Sequence, residues 1–154
     1  MQHASLGSFK KFNVKRYRIG IVAAQFNRDV TEELFKSAEK KLTEYRVPQK
    51  NITVCLVAGS VEIPVVLKAL AETGKYDCLV ALGAVIRGDT PHFEYVCKIV
   101  SEGTLRVMLD HTIPVGFGVL TLEKKEQAGG RFHVGGEAVE AALQVARTVN
   151  EIRE

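Results

Sequence analysis

The residue best suited to acid–base chemistry in this sequence is His92, which follows Thr90 and Pro91. That order is typical of a helix start, with Thr90 as the cap and Pro91 at the first helical position. The helix dipole there disfavours the imidazolium, and a neutral imidazole can take up or release a proton near pH 7. Free amide groups at such a start also suit a phosphate monoester. By position alone, a structural histidine stays open as the alternative.

Two further polar residues, Glu62 and Arg131, lie in separate glycine-containing segments. Glu62 could accept hydrogen bonds from hydroxyl or ring N–H groups, or could simply be an acid favoured at a helix N-terminus. Arg131 lies in the glycine-rich segment 129–136, and its guanidinium suits the geometry of a phosphate. An ordinary surface arginine is the alternative there.

Two phenylalanines are candidate surfaces for an aromatic ligand. Phe26 lies between Gln25 and Asn27, just after an apolar run. It could stack on a planar ring or simply pack against the protein. Phe117 lies inside an apolar run, and we expect it in the core.

Several common kinds of site are excluded. Residues 83–88 have the glycine spacing of a phosphate-binding loop, but Asp89 follows where that motif requires lysine, and an acid would repel a triphosphate. The dinucleotide motif GxGxxG is absent from the sequence. Cys55, Cys78 and Cys97 lack the spacing of zinc ligands, so we expect neither a metal site nor a disulfide framework.

Four short apolar runs must position these residues. Such runs are typical of parallel strands that are covered on both faces. They are residues 18–24, 53–57, 78–83 and 113–120. Helical patterns follow each run, which predicts a three-layer α/β sandwich with a four-stranded parallel sheet in the flavodoxin-like order 2-1-3-4 and helices on both faces. Ligands of such sheets bind outside the carboxyl ends of the strands, in the loops 25–28, 58–63, 84–92 and 121–136.

Apolar residues at helical spacing predict which face of each helix is buried. The expected buried positions are Val30, Leu34, Ala38, Leu42 and Tyr45; Val65, Val66, Ala69 and Leu70; Val96, Val100, Leu105 and Leu109; and Val139, Ala142, Leu143, Ala146 and Val149.

The length of 154 residues and the 25% of charged residues are typical of one globular domain, which we place at residues 17–154. Residues 1–16 form a basic arm whose Phe9, Phe12 and Val14 favour packing, and we expect it to pack on a neighbouring subunit. Beyond residue 24, 16 basic and 18 acidic groups nearly balance, which argues against a nucleic-acid-binding face. The longest uncharged apolar stretch, 78–86, is too short to span a bilayer, and no apolar signal segment follows Met1. We therefore expect a cytoplasmic protein that binds neither nucleic acid nor membrane.

Together, these segments resemble the 6,7-dimethyl-8-ribityllumazine synthase family over about residues 15–152. The matching stretches are residues 24–27, 59–64, 83–97, 117–121 and 126–128. The third, GAVIRGDTPHFEYVC, is too long for chance to explain easily. The resemblance implies an enzyme that condenses 5-amino-6-ribitylaminouracil with 3,4-dihydroxy-2-butanone 4-phosphate, the penultimate step of riboflavin biosynthesis, without metal or organic cofactor.

The resemblance also implies a role for each loop. The uracil ring would stack on Phe26, the ribityl chain would bind at residues 60–62, and the phosphate would bind at residues 88–90 with Arg131. His92 would move protons. The implied catalytic residues are His92 and Arg131, and the implied substrate-binding residues are Phe26, Asn27, Ser60, Val61, Glu62, Val85, Ile86, Asp89, Thr90, Phe117 and Arg131.

The family resemblance implies a homo-oligomer, a pentamer or a multiple of one, with Phe117 and Arg131 reaching the active site of a neighbouring subunit. Riboflavin synthase is a candidate partner. The chain departs from the family after Arg131, where the usual segment is longer and carries a lysine near the phosphate; here Val134 takes that place, and His133 is a candidate substitute. A non-catalytic flavin-binding, lumazine-binding or shell-forming member of the same fold is the alternative function, and an archaeal-type riboflavin synthase is a related one.

Overall fold

A parallel sheet of four strands forms the centre of the protein. The computed structural model describes residues 7–154. Its strands are β1 (Ile19–Ala24), β2 (Ile52–Val57), β3 (Cys78–Ile86) and β4 (Val115–Leu122). All neighbouring strands pair in parallel, in the order β2-β1-β3-β4. The predicted topology is therefore confirmed.

Four helices cover the sheet, two on each face. They are α1 (Arg28–Glu44), α2 (Ile63–Glu72), α3 (His92–His111) and α4 (Val134–Arg153). Short 3₁₀ turns lie at Gln49–Asn51, Ser60–Glu62 and Lys125–Ala128. One buried cluster joins β1 and β3 to α1 and α4, and a second joins the sheet to α2 and α3. The three-layer sandwich is thus as predicted.

The central strands are apolar throughout because helices cover both of their faces. Every residue of β1 is buried, and so is every residue of β3 except Ile86. β3 continues to Ile86, which pairs with Leu122 of β4, so residues 84–86 belong to the strand and not to the predicted loop. Pairing with β4 keeps the backbone extended to that point. This extension brings Val85 and Ile86 to the carboxyl edge of the sheet.

The buried faces of α2 and α3 match the prediction only in part. Val96 and Val100 on α3 are buried as predicted, and Val66 and Leu70 on α2 are partly buried. Val65 on α2 and Leu109 on α3 are 67% and 70% exposed, and Leu105 is exposed as well. The buried faces also carry residues that were not predicted, Leu67 on α2 and Thr104 and Val107 on α3. The two helices meet where Gly103 lies against the Pro64 ring, since a Cβ at residue 103 would lie 2.6 Å from Pro64 Cβ. This close contact fixes the rotation of both helices and leaves an apolar surface exposed on them.

Part of the predicted basic arm packs on its own chain. Val14 is fully buried, and the Phe12 ring meets the Tyr45 ring edge-on at 6.1 Å. Gln144 donates a hydrogen bond to the backbone oxygen of Lys10 (3.3 Å). The expected packing of the arm on a neighbouring subunit therefore concerns mainly the residues before Lys10, of which residues 1–6 lie outside the described part of the chain.

Candidate active site

A cleft of about 540 Å³ opens at the carboxyl edge of the sheet, where the topology predicts a ligand site. The loops after β1, β2 and β3 line it together with the start of α3. It brings together nine of the residues selected from the sequence, namely Phe26, Asn27, Ser60, Val61, Glu62, Val85, Ile86, Thr90 and His92.

Phe26 presents a free aromatic ring at the mouth of this cleft. Its side chain is 72% exposed, while its backbone amide donates a hydrogen bond to the oxygen of Ala58 (2.9 Å). The next residue, Asn27, is in the left-handed conformation (φ 56°), which asparagine tolerates better than most residues. Its side-chain amide donates to the oxygen of Ala84 at the end of β3 (2.9 Å). The backbone around the ring is thus held to two strands, and the ring itself stays available for stacking.

We expect Asn27→Ala to lower the free energy of unfolding by about 1–2 kcal/mol, because it removes the bond to Ala84 and leaves a side chain with a Cβ in the left-handed region. Asn27→Gly removes the same bond without that steric cost. Its thermal midpoint should fall between those of the wild type and Asn27→Ala. If the two variants melt at the same temperature, the strained backbone contributes nothing.

The turn at residues 59–62 lines the cleft beside Phe26, since a Cβ at Gly59 would lie 3.7 Å from Phe26 Cβ. The amide of Gly59 donates to Glu62 Oε2 (2.9 Å), and the amide of Glu62 donates to the oxygen of Gly59 (3.2 Å). Ser60 is only 6% exposed and lies against Gly83, where a Cβ would be 2.9 Å from the serine Oγ. These side chains shape the turn, while Val61 is exposed at the cleft.

The loop between β3 and α3 places His92 at the edge of the cleft. α3 begins at His92, one residue later than predicted, and Pro91 takes the cap position. The Thr90 hydroxyl still accepts a long hydrogen bond from the amide of His92 (3.4 Å). Gly88, Asp89 and Thr90 are exposed ahead of a helix of 20 residues. Free amide groups and the helix dipole at this point suit a phosphate.

Three of the selected residues do not line the cleft: Asp89, Phe117 and Arg131. Phe117 is 41% exposed, so its expected place in the core is wrong. The reason is that β4 is an edge strand, whose burial pattern leaves Phe117 and Thr121 exposed. Arg131 donates to the backbone oxygen of Gln127 (2.5 Å), outside this cleft.

The larger apolar side chains of Phe93 and Val96 also line the cleft, and sequence reasoning did not select them. Val96 lies four positions after His92 on the same helix, so the two share one face. That spacing could have identified it. Within residues 7–154, no three His, Cys, Asp or Glu side chains lie close enough together to hold a metal ion. No helix in that same range has the length and apolar character needed to cross a bilayer.

Comparison with known proteins decides between the fold's many functions. The sequence profile of 6,7-dimethyl-8-ribityllumazine synthase matches residues 16–150. This chain belongs to that family. The predicted family is therefore confirmed, and with it a lumazine-forming enzyme of riboflavin biosynthesis.

Individual lumazine synthases align with nearly the whole chain. That of Desulfovibrio desulfuricans is 40% identical over 141 residues, which cover 90% of each chain. That of Coxiella burnetii (strain Dugway 5J108-111) is 43% identical over 88% of this chain and 93% of its own. The lumazine synthase of Protochlamydia amoebophila is 38% identical over 92% of this chain and 86% of its own.

Proposed function

We propose that the cleft is where this chain condenses 5-amino-6-ribitylaminouracil with 3,4-dihydroxy-2-butanone 4-phosphate to 6,7-dimethyl-8-ribityllumazine, releasing phosphate and water. The observation that carries the proposal is the convergence of the exposed Phe26 ring, the turn at 59–62 and His92 on one cleft in a chain of this family.

Each part of the cleft suits one part of the substrates. The ring of Phe26 stacks on the uracil, whose polar edge meets the backbone of Val85 and Ile86. The ribityl hydroxyls bind at the turn of residues 60–62, where Glu62 accepts hydrogen bonds. The phosphate binds at residues 88–90.

The chemistry requires positioning and proton transfer. The amine of the pyrimidine attacks the ketone to form an imine, the phosphate is eliminated, and the ring closes. Orienting two reactants can supply roughly 7–11 kcal/mol of the barrier reduction, and His92 moves protons in these steps. No step requires a metal or an organic cofactor.

A direct assay tests the activity. The purified protein is mixed with both substrates, and the absorbance and fluorescence of the lumazine are followed after subtraction of the uncatalysed reaction. A rate that saturates with butanone phosphate supports the proposal. Binding of lumazine or riboflavin without turnover would instead favour the non-catalytic alternative.

His92→Ala is expected to lower kcat by about a hundredfold or more without abolishing turnover, because a proton shuttle contributes about 10²–10⁴-fold while positioning persists. The matched control is His111→Ala at the opposite end of α3, which should leave kcat unchanged. Full activity of His92→Ala in the same lumazine assay would remove the histidine from the mechanism.

We further propose that the protein is a homo-oligomer, a pentamer or a multiple of one, in which a neighbour completes each active site. In support, Phe117 and Arg131 lie outside the cleft of their own chain, and α2 and α3 expose the apolar residues Val65, Leu105 and Leu109. An exposed apolar surface of this kind is typical of protein–protein contacts. Multi-angle light scattering should give a mass of at least five chains, and a monomer would contradict the proposal.

In the proposed oligomer, one surface of each chain suits the basic arm of a neighbouring chain. A groove of about 620 Å³ runs along the edge strand β2 and α1, where Val54 and Leu56 are exposed. An extended segment from a neighbour can add to such an unpaired edge. We propose that the first residues of the arm bind in this groove.

We also propose that the enzyme acts in the cytoplasm. Riboflavin synthase is the proposed partner, which receives the product.

A further inference from the structure

Arg87 lies between the end of β3 and the loop that carries the proposed phosphate seat. Its Nε donates to Glu123 Oε2 (2.6 Å), and its Nη2 donates to Glu123 Oε1 (3.3 Å). Its Nη1 donates to the carboxylate of Glu94 in the first turn of α3. The guanidinium carbon also lies 4.3 Å from the centre of the Phe93 ring.

These contacts tie three elements together at one side chain. The backbone amide of Arg87 donates to the oxygen of Leu122 (2.9 Å), so the residue is fixed to β4 by both its backbone and its side chain. Phe93 and Glu94 directly follow His92 in α3. The position of that helix start relative to the sheet is therefore set in part by Arg87.

The loop itself has little else to hold it. In the described part of the chain, residues 88–91 form hydrogen bonds only with the first turn of α3. The Thr90 hydroxyl and the backbone oxygen of Pro91 accept these bonds. A Cβ at Gly88 would meet nothing within 4 Å. The loop is thus anchored at its two ends, and the Arg87–Glu94 pair joins those ends.

We propose that Arg87 is a positioning residue for the condensation, which holds the phosphate seat at residues 88–90 and His92 in their relative places. The proposal rests on the proposed function of the cleft. Arg87 acts through its neighbours, because the N–H groups of its guanidinium already donate to the carboxylates of Glu123 and Glu94.

Arg87 also has an electrostatic consequence for an anionic substrate. Its guanidinium, hydrogen-bonded to Glu94, lowers the pKa of that carboxyl. The carboxylates of Glu123 and Glu94 in turn raise the pKa of Arg87. Without the guanidinium, two uncompensated negative charges would flank the loop that receives the phosphate, which weakens binding of an anion. The neutral pyrimidine substrate would not be affected in this way.

The experiment compares Arg87→Gln and Arg87→Lys with the wild type in the complete protein, with Arg153→Gln in the exposed last turn of α4 as the charge-matched control. We expect Arg87→Gln to raise the KM for butanone phosphate about threefold to tenfold and to lower kcat about tenfold. The KM for the pyrimidine should stay within about twofold. Arg87→Lys keeps the charge but loses the fork, so kcat falls while the phosphate KM stays nearer to the wild type.

A triple variant separates the charge from the fork. In Arg87→Gln/Glu94→Gln/Glu123→Gln no charge is left uncompensated, so the phosphate KM should return toward the wild-type value while kcat stays low.

Unchanged kinetics of Arg87→Gln, or equal rises of both KM values together with a lower thermal midpoint, would overturn the proposal. Titration with inorganic phosphate gives a second readout that does not need turnover. Weaker binding to Arg87→Gln than to Arg153→Gln supports the role, and equal binding contradicts it. An inactive wild type that still binds phosphate would overturn the proposed function alone.

Discussion

Gly135→Ala is expected to destabilise the protein by about 3 kcal/mol or more, a large share of the roughly 5–15 kcal/mol that stabilises a typical domain. Gly135 lies in the first turn of α4, where that helix crosses α1. A Cβ at this position would be 2.0 Å from the backbone oxygen of Leu34 and 2.8 Å from its carbonyl carbon. Because the obstacle is the backbone of a helix and not a flexible side chain, the two helices would have to separate.

The measurement is the thermal midpoint, with the yield of folded protein as a second readout. Gly129→Ala and Gly130→Ala are matched controls in the preceding loop, since a Cβ at either residue would meet nothing within 4 Å. They should melt close to the wild type. Gly116→Ala should resemble Gly135→Ala, because a Cβ on β4 there would be 2.0 Å from the oxygen of Ala138 in α4. A Gly135→Ala protein that melts with the loop controls would show that the helices can move apart at little cost.

The same close packing bears on the lysine that the family resemblance places near the phosphate. Position 135 has no room for a side chain, and Val134 packs partly buried against the core formed with α1 and α4. His133 is exposed, with Nε2 3.9 Å from Glu137 Oε1. Its role as a substitute for the lysine stays a prediction. The short segment before α4 therefore reflects a helix that begins directly against α1.

Much of the fold could be predicted because burial leaves a regular pattern in the sequence. The continuous apolar runs of β1 and β3 follow from cover on both faces, and the stripe of α1 that includes Leu34 faces the sheet as expected. On α3 the prediction was right for Val96 and Val100, but it was wrong for Leu105 and Leu109, and for Val65 on α2, because the apolar residues of these helices face two directions. Periodicity cannot separate apolar residues buried within one chain from those left on its surface, such as Val65 and Leu109.

The candidate site was predictable in a different way. The rule that ligands bind at the carboxyl ends of parallel strands selects the loops, and the structure brings the loops after β1, β2 and β3 to one cleft. The sequence could not show that Glu62 and Asn27 also hold the backbone of that cleft, because those bonds depend on the fold. Phe117 and Arg131 do not line the cleft of their own chain, so their predicted place in the site stays a prediction.

Phe26→Ala is expected to raise the KM for the ribitylaminouracil by about fivefold to a hundredfold, since stacking of a heteroaromatic ring on an aromatic side chain is worth about 1–3 kcal/mol. The ring is mostly exposed and contributes little to the core, so the thermal midpoint should change by no more than about 2 °C. The KM for butanone phosphate should be nearly unchanged, because the proposed phosphate seat at residues 88–90 belongs to the loop after β3, whereas Phe26 belongs to the loop after β1.

Two further substitutions at Phe26 separate stacking from simple apolar contact. Phe26→Tyr keeps the aromatic face and should retain a KM close to that of the wild type. Phe26→Leu keeps an apolar side chain without a π-system, so its KM should approach that of the alanine variant. Equal KM values for the leucine and tyrosine variants would show that Phe26 acts only as an apolar contact and not by stacking. If the KM values for both substrates rise, the backbone held by Asn27 has moved. The Asn27→Gly variant tests this separately, because it loses the hydrogen bond to Ala84 and keeps the Phe26 ring.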